Sequence, residues 1–415
     1  MMLLLDSTIL LVALAGHVAA LIVVLNHVHS ARLRLWVIDA ITYTCEATVL
    51  VAVGCWGWWF ALHGFGVLAR AGLAPLPAWC VAYLGLFGLV GATAVPLWLY
   101  RRVNATSPEL LTNDARRYHD IKRHLGRLPV RRGRDALMAR LPGNEVHRLE
   151  LSDRTIELPR LRPQLDGLSI AHLSDVHFNG VMQQDYYEEV VRLTNAMAPD
   201  LIAVTGDIAD REEYLDWIPQ TLGKLVAPCG VYFIFGNHDW ILGKMTAARE
   251  AIMAAGHTYL GGSWFSLDVA GQPVVLAGNE APWFPAPLSH AYPSENGSGR
   301  PLKILLAHSP DQYLWARQHD FDLMLAGHTH GGQVALPRLG PLFAASRTGT
   351  QYAAGTYYKP PTVLHTSRGI SSNTPLRYNA PPELTKIVLR PPVERRMSVE
   401  REVAEPAGAF PREQG

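Results

Sequence analysis

The sequence predicts an α/β domain set behind a helical, membrane-spanning region. Three observations lead there. Hydrophobic residues make up 49% of the 415-residue chain and charged residues only 18%, little charge for a wholly soluble protein. Most of the apolar excess falls in the first hundred residues. From about residue 145, short β-branched runs alternate with amphipathic helical stretches, which is the pattern of an α/β domain. The length suggests two or three domains. The formal net charge of +1 gives no pointer to nucleic acid. Cys45, Cys55, Cys80 and Cys229 show no spacing of a disulfide framework or zinc knot.

Residues 8–25 are apolar and long enough to cross a bilayer as a helix. No Lys or Arg precedes them, which weighs against a signal peptide. A second run, residues 47–68, carries Trp56, Trp58 and Trp59, and a third, residues 78–100, carries Trp79, Trp98 and Tyr100 near its ends. Aromatics favour the membrane interface. Asp39 and Glu46 leave the start of the second run open. Three such runs in succession favour a membrane region over a buried core, giving a segment 1–100 with about three transmembrane helices.

Positive charge predicts the orientation. Arg32 and Arg34 follow the first run, and only Arg70 follows the second. Arg101, Arg102, Arg116, Arg117, Lys122, Arg123, Arg127, Arg131, Arg132 and Arg134 follow the third. That places everything beyond residue 100 in the cytoplasm. Residues 101–144 read as a basic linker. Within it, 109–125 fit either a helix on anionic headgroups or a solvated linker helix.

The next segment, 145–390, reads as the α/β domain. Strands are expected within 168–175, 200–207, 230–239, 303–309 and 322–328, and helices near 183–197, 211–225 and 244–256. Pro219 should disturb the second of these helices. Residues 281–300 are rich in Pro, Gly and Ser and read as a loop. Residues 391–415 lack apolar periodicity and read as a disordered tail.

Five of the strands end in residues that bind metals: Asp175-Val176-His177, Gly206-Asp207, Gly236-Asn237-His238-Asp239, His308, and Gly327-His328-Thr329-His330. Loops at the carboxyl edge of a sheet form the usual crevice. Carboxylate, imidazole and amide donors together suit Mn, Fe, Zn or Co better than Ca or Mg alone. The donors suffice for two ions, and Asp207, alone after its glycine, is the favoured bridge. Two such ions about 4 Å apart clamp a phosphoryl oxygen and generate a nucleophile near neutral pH.

In this order the five motifs resemble the calcineurin-like metallophosphoesterase family, over roughly residues 145–390. The resemblance implies a two-sheet sandwich flanked by helices. It implies one ion on Asp175, His177, Asp207 and His330, and a second on Asp207, Asn237, His308 and His328. His238 would protonate or stabilise the leaving group, and Asp239 would orient its imidazole. The stretches LTNAMAPDLIAVTGD, LAHSPDQ, AGHTHGGQ and PPELTKIVLR are similar to a bacterial transmembrane phosphodiesterase branch. Some of that branch act on UDP-2,3-diacylglucosamine in lipid A biosynthesis. That resemblance implies a multi-pass inner-membrane enzyme, with manganese the favoured metal and a phosphodiester or nucleotide-lipid substrate. A broad metallophosphatase and a non-catalytic membrane sensor or scaffold are the competing readings. Asn179, Trp283, Arg368 and Arg377 lie near the motifs and are candidates for substrate contact or for packing. His172 is a candidate support for the metal ligands.

Overall fold

The computed structural model describes residues 2–64, 76–103, 108–288 and 300–392. Three helices come first: α1 (Met2–His29), α2 (Leu35–His63) and α3 (Ala78–Val103). All three are long and apolar enough to cross a membrane. The second begins twelve residues before the apolar run starts. Asp39 and Glu46 lie inside it, on its outer surface. α1 and α3 pack backbone to backbone. A Cβ on Gly16 would lie 1.9 Å from the Phe87 carbonyl oxygen, and one on Gly91 2.0 Å from that of Val12. Small residues permit such approach where lipid gives helices no hydrophobic reason to associate. Trp56, Trp59 and Phe60 of α2 pack with Leu84 and Cys80 of α3 beside them.

Residues 109–125, read from sequence as a helix, are instead a strand, β1 (Leu111–Asp120), and one short turn of helix, α4 (Ile121–Leu125). β1 pairs antiparallel with β2 (Arg148–Glu157) as the edge of a sheet. Its side chains are almost all exposed, so no alternation of apolar residues marks it. Its charges instead blunt an edge that would otherwise pair with other chains. A second short helix, α5 (Arg134–Ala139), follows.

The remaining strands of this sheet are β3 (Ser169–Leu173), β4 (Leu201–Thr205), β5 (Val231–Ile234), β6 (Thr258–Tyr259) and the late β15 (Glu383–Arg390). Their order is β1-β2-β15-β3-β4-β5-β6. A second sheet runs β13-β14-β10-β9-β8-β7. Its strands are β7 (Trp264–Val269), β8 (Gln272–Asn279), β9 (Leu302–Ala307), β10 (Leu323–Ala326), β13 (Gly355–Lys359) and β14 (Thr362–Thr366). β11 (Ala335–Leu336) and β12 (Gly340–Pro341) make a separate small hairpin.

The sheets face each other over one core. Ile170, Ala203 and Ile234 from the first meet Leu276, Ile304 and Leu325 from the second. The other face of each sheet is covered by helices. α6 (Gln184–Ala196) and α8 (Met245–Met253) bury Val190 and Ile252 against Leu173, Val204 and Phe233. α9 (Tyr313–Gln318) buries Tyr313 and Ala316 against Leu305 and Met324. β3, β4 and β5 are wholly buried, which is why they read as continuous apolar runs. Each such Leu, Ile or Val contributes about 1.5–3 kcal/mol of burial. The stretch 211–225 forms two short 3₁₀ segments, Glu212–Gln220 and Leu222–Lys224, with Pro219 inside the first. This is the disturbance that a missing N–H produces. The expected loop at 281–300 lies largely outside the described residues, as does the tail beyond residue 392.

Candidate metal centre

β3, β4, β5, β9 and β10 all end at the same edge of the sandwich. The backbone there departs from ordinary geometry. Asp175, His177, Asp207, His328 and His330 all have positive φ, between 50° and 70°. Non-glycine residues avoid this region, and such strain persists where surrounding structure imposes it. Glycine makes the close approach sterically feasible. A Cβ on Gly236 would sit 2.2 Å from Asp207 Oδ1, and one on Gly206 2.4 Å from His308 Nδ1.

All seven expected ligands converge. Asp175, His177 and His330 form one group of donors, and Asp207, His308 and His328 form another. His308 Nε2 lies 3.2 Å from Asp207 Oδ2 and 3.0 Å from Asn237 Oδ1. His177 Nε2 lies 3.7 Å from Asp207 Oδ2, and His330 Nε2 lies 3.7 Å from Asp175 Oδ1. Asp207 therefore stands between the two groups. The outward nitrogens of the imidazoles are tied down. His308 Nδ1 donates to the Thr205 carbonyl at 2.8 Å. His177 Nδ1 donates to Asp210 at 3.1 Å, and the Arg377 guanidinium donates to His330 Nδ1 at 3.1 Å. Partners of this kind orient imidazole ligands.

Burial opposes ionisation of Asp207, but the neighbouring imidazoles of His308 and His238 outweigh it. They hold that carboxyl well below the carboxylate range. Burial likewise opposes charge on His308, and Asp207 overcomes it, raising the imidazole to about 9. Burial and the charge of His308 hold His328 well below its ordinary value. Two features show that the donor set fits cations. His328 Nε2 is buried without a hydrogen-bond partner. His177 Nε2 and His330 Nε2 face each other at 3.2 Å, close enough for one ion to take both rings as ligands. The mix of carboxylate, imidazole and amide suits Mn, Fe, Zn or Co.

His238 lies beside this group, a quarter exposed, with Nδ1 2.9 Å from Asp210 Oδ1. Burial works against its charge, but Asp207 and Asp210 dominate and raise it to about 10. The partner of His238 is thus Asp210 and not Asp239. Asp239 is the third residue of α7 (Asn237–Leu242). Its carboxylate accepts from the backbone N–H groups of Gly236 at 2.8 Å and of Ile208 and Ala209 at 3.1 Å. It caps the helix and pins the Asp207 loop, facing away from the imidazole. Burial, then Asp207, pushes it up to about 7.

The other candidates separate. Asn179 belongs to the site's rim, donating to Asp210 at 2.9 Å and to Asn373 at 2.7 Å. Asn373 in turn reaches His238 at 3.4 Å. Trp283 is buried and packs its edge on His308 and His328. Arg377 is fully buried and braces His330 and the loop carbonyls of Arg368 and Ser371, so it is not a phosphate ligand. Arg368 turns away to Glu150, 2.7 Å off. His172 bonds Thr205 Oγ1 at 2.8 Å and reaches the centre only through that strand end. Asp210 and Asn373 are the residues that sequence reading missed. The spacing Asp207-x-x-Asp210 was the available signal for the first; nothing in the sequence marked the second. Away from the centre, His119, His124 and Glu189 also cluster, but Glu189 is already paired with Arg192 at 2.7 Å.

Comparison with known proteins decides the family. The calcineurin-like phosphoesterase profile matches residues 168–332. A metallophosphoesterase of Bacillus subtilis (strain 168), YkuE, itself uncharacterized, is 32% identical over 259 residues, covering 59% of this chain and 87% of its own. The chain belongs to the calcineurin-like phosphoesterase family. As such it is a metal-dependent hydrolase of phosphoric esters. Phosphodiesterase YaeI of Escherichia coli (strain K12) is 29% identical over 224 residues, 53% of this chain and 81% of the relative. A Bos taurus "transmembrane protein with metallophosphoesterase domain" is 28% identical over 262 residues, 57% of this chain and 56% of the relative.

Proposed function

We propose that the protein is a membrane-anchored phosphodiesterase or pyrophosphatase that works with two divalent ions sharing Asp207. The observation that carries this reading is the pair of donor groups meeting at Asp207, with the His238–Asp210 pair beside them. Asp175, His177, Asp207 and His330 would hold one ion, and Asp207, Asn237, His308 and His328 the other. Bound ions, with Mn favoured, would supply Lewis-acid polarisation of the phosphoryl group and a nucleophile usable near neutral pH.

The remaining steps belong to the chain. His238 Nδ1 is held by Asp210, so its Nε2–H is the proton given to the leaving oxygen. Asp210 keeps that imidazole charged and oriented until the proton moves. Asp239 fixes the turn that presents Asp207, and Arg377 fixes the ring of His330.

The three apolar helices and the relatives named as transmembrane support anchoring. The Arg-rich stretch after α3 supports a cytoplasmic catalytic domain in a multi-pass inner-membrane protein. For the substrate we propose UDP-2,3-diacylglucosamine, with water cleaving its pyrophosphate to UMP and the acylated sugar phosphate. An enzyme held at the bilayer meets such a lipid in the plane where it resides. Incubation of the purified full-length protein with that lipid in mixed micelles, products identified by mass, should release UMP. Turnover of a simple diester without UMP release overturns the substrate and leaves the phosphodiesterase.

A further inference from the structure

We infer that the membrane helices form one wall of the active site, so that its mouth opens at the bilayer surface and admits a phosphodiester esterified to a membrane lipid. This rests on the phosphodiesterase reading and adds to it the route of entry and a residue that receives the substrate.

The cavity in front of the metal centre has a volume of about 380 Å³. Asp207, His328 and His238 line one side of it, and His29 and Phe343 line another. His29 is the last residue of α1, and its ring meets Phe343 edge to face at 5.6 Å. A residue from the end of a spanning helix therefore faces the reacting centre across the cavity. The helix ends are anchored there by independent contacts. Asn26 Oδ1 accepts from the Ala344 N–H at 3.2 Å, and Arg102 Nε donates to the Leu339 carbonyl at 2.7 Å. Trp98 Nε1 donates to Thr350 Oγ1 at 3.2 Å, and the Arg32 guanidinium lies 5.2 Å from the Trp240 ring centre.

The β11–β12 hairpin sits between these contacts. Along it, Val334 is 47% exposed, Leu336 41% and Leu342 47%. Exposed apolar side chains on a loop tied to the ends of spanning helices sit where the interface begins. Arg34, Arg101, Arg338 and Arg347 are exposed and lie within a few residues of these contacts along the chain, which suits anionic headgroups. Apolar residues, cations and the cavity mouth thus share one side of the molecule. A lipid-linked diester can keep its chains in the bilayer while its phosphate reaches Asp207 and its polar group meets His29. A soluble diester gains nothing from the apolar rim.

Two readouts on the full-length protein in anionic nanodiscs test this. The first, with Cys45, Cys55, Cys80 and Cys229 replaced by Ser so that the label is unique, places a fluorophore at Leu336→Cys, and a control at Val226→Cys just before β5, at the opposite edge of the sheet. Lipid-borne quencher should dim the first and not the second. The second readout compares a dialkylglycerol p-nitrophenyl phosphodiester with bis-p-nitrophenyl phosphate. The lipid diester should show the lower KM, and His29→Ala should raise that KM by about tenfold or more with bound metal unchanged. An unquenched label at position 336, or an unaltered KM in His29→Ala, overturns the inference. Turnover of the soluble diester without the lipid diester overturns it alone. Turnover of neither by the wild type removes the phosphodiesterase reading and this inference with it.

Discussion

His238 and Asp210 form the pair on which the chemistry turns. His238→Ala removes the proton donor but none of the expected metal ligands. It should slow diester cleavage by the roughly 10²–10⁴-fold typical of general acid catalysis while metal content stays at the wild-type level. Asp207 and Asp210 together hold the imidazole protonated, and Asp210→Asn removes the second of these charges with its hydrogen bond. The high-pH limb of the rate profile, where His238 loses its proton, should then move to lower pH. An unchanged profile would separate Asp210 from the acid. Asp239→Asn should leave that limb in place and weaken folding instead, since its carboxylate serves three backbone N–H groups. The sequence made the seven ligands legible because each follows an apolar strand and several stand beside glycine. It misled about the partner of His238. Adjacent residues in the first turn of a helix point about 100° apart, so Asp239 faces the helix cap. Asp210 is returned to the imidazole by the left-handed turn at Asp207, which no residue pattern announces.

The strands were readable where they are buried and unreadable where they are edges. β3, β4 and β5 declare themselves by continuous apolar residues, whereas β1 is held by backbone pairing and charge. Part of that charge is internal. Arg154 on β2 lies 2.8 Å from Glu383 on β15, also 2.8 Å from His365 Nδ1, and 3.0 Å from Asp114 on β1. Arg368 donates its backbone N–H to Glu383 at 3.1 Å, so the network braces the loop that follows β14 at the site. Glu383→Ala leaves Arg154 with Asp114 and Arg368 with Glu150 but removes the buried carboxylate that both share, and should cost about 1–3 kcal/mol in urea unfolding. Burial opposes ionisation of Glu383, but Arg368 and Arg154 prevail and depress its carboxyl below the usual range. A depressed carboxyl contributes stability that is complete above its unfolded value and is lost as pH falls toward its folded value. Wild-type stability should therefore decline on acidification below about pH 4 more steeply than that of Glu383→Gln. Parallel curves would show that the network is not what the acid disrupts.

For the whole molecule, the helices and the hydrolase domain meet at the active-site edge, so the side of the membrane matters. The Arg excess after α3 favours the cytoplasm. A reporter fused after residue 390 should be active only in a cytoplasmic form, and activity restricted to the outside would reverse the topology. The central claim is catalysis by a metal pair at Asp207. The most direct test strips the full-length protein with chelator and titrates Mn back while following hydrolysis of bis-p-nitrophenyl phosphate and bound metal together. Activity should vanish on stripping and return as about two ions bind per chain, and Asp207→Asn should regain neither. Undiminished turnover by the metal-free protein would contradict the account.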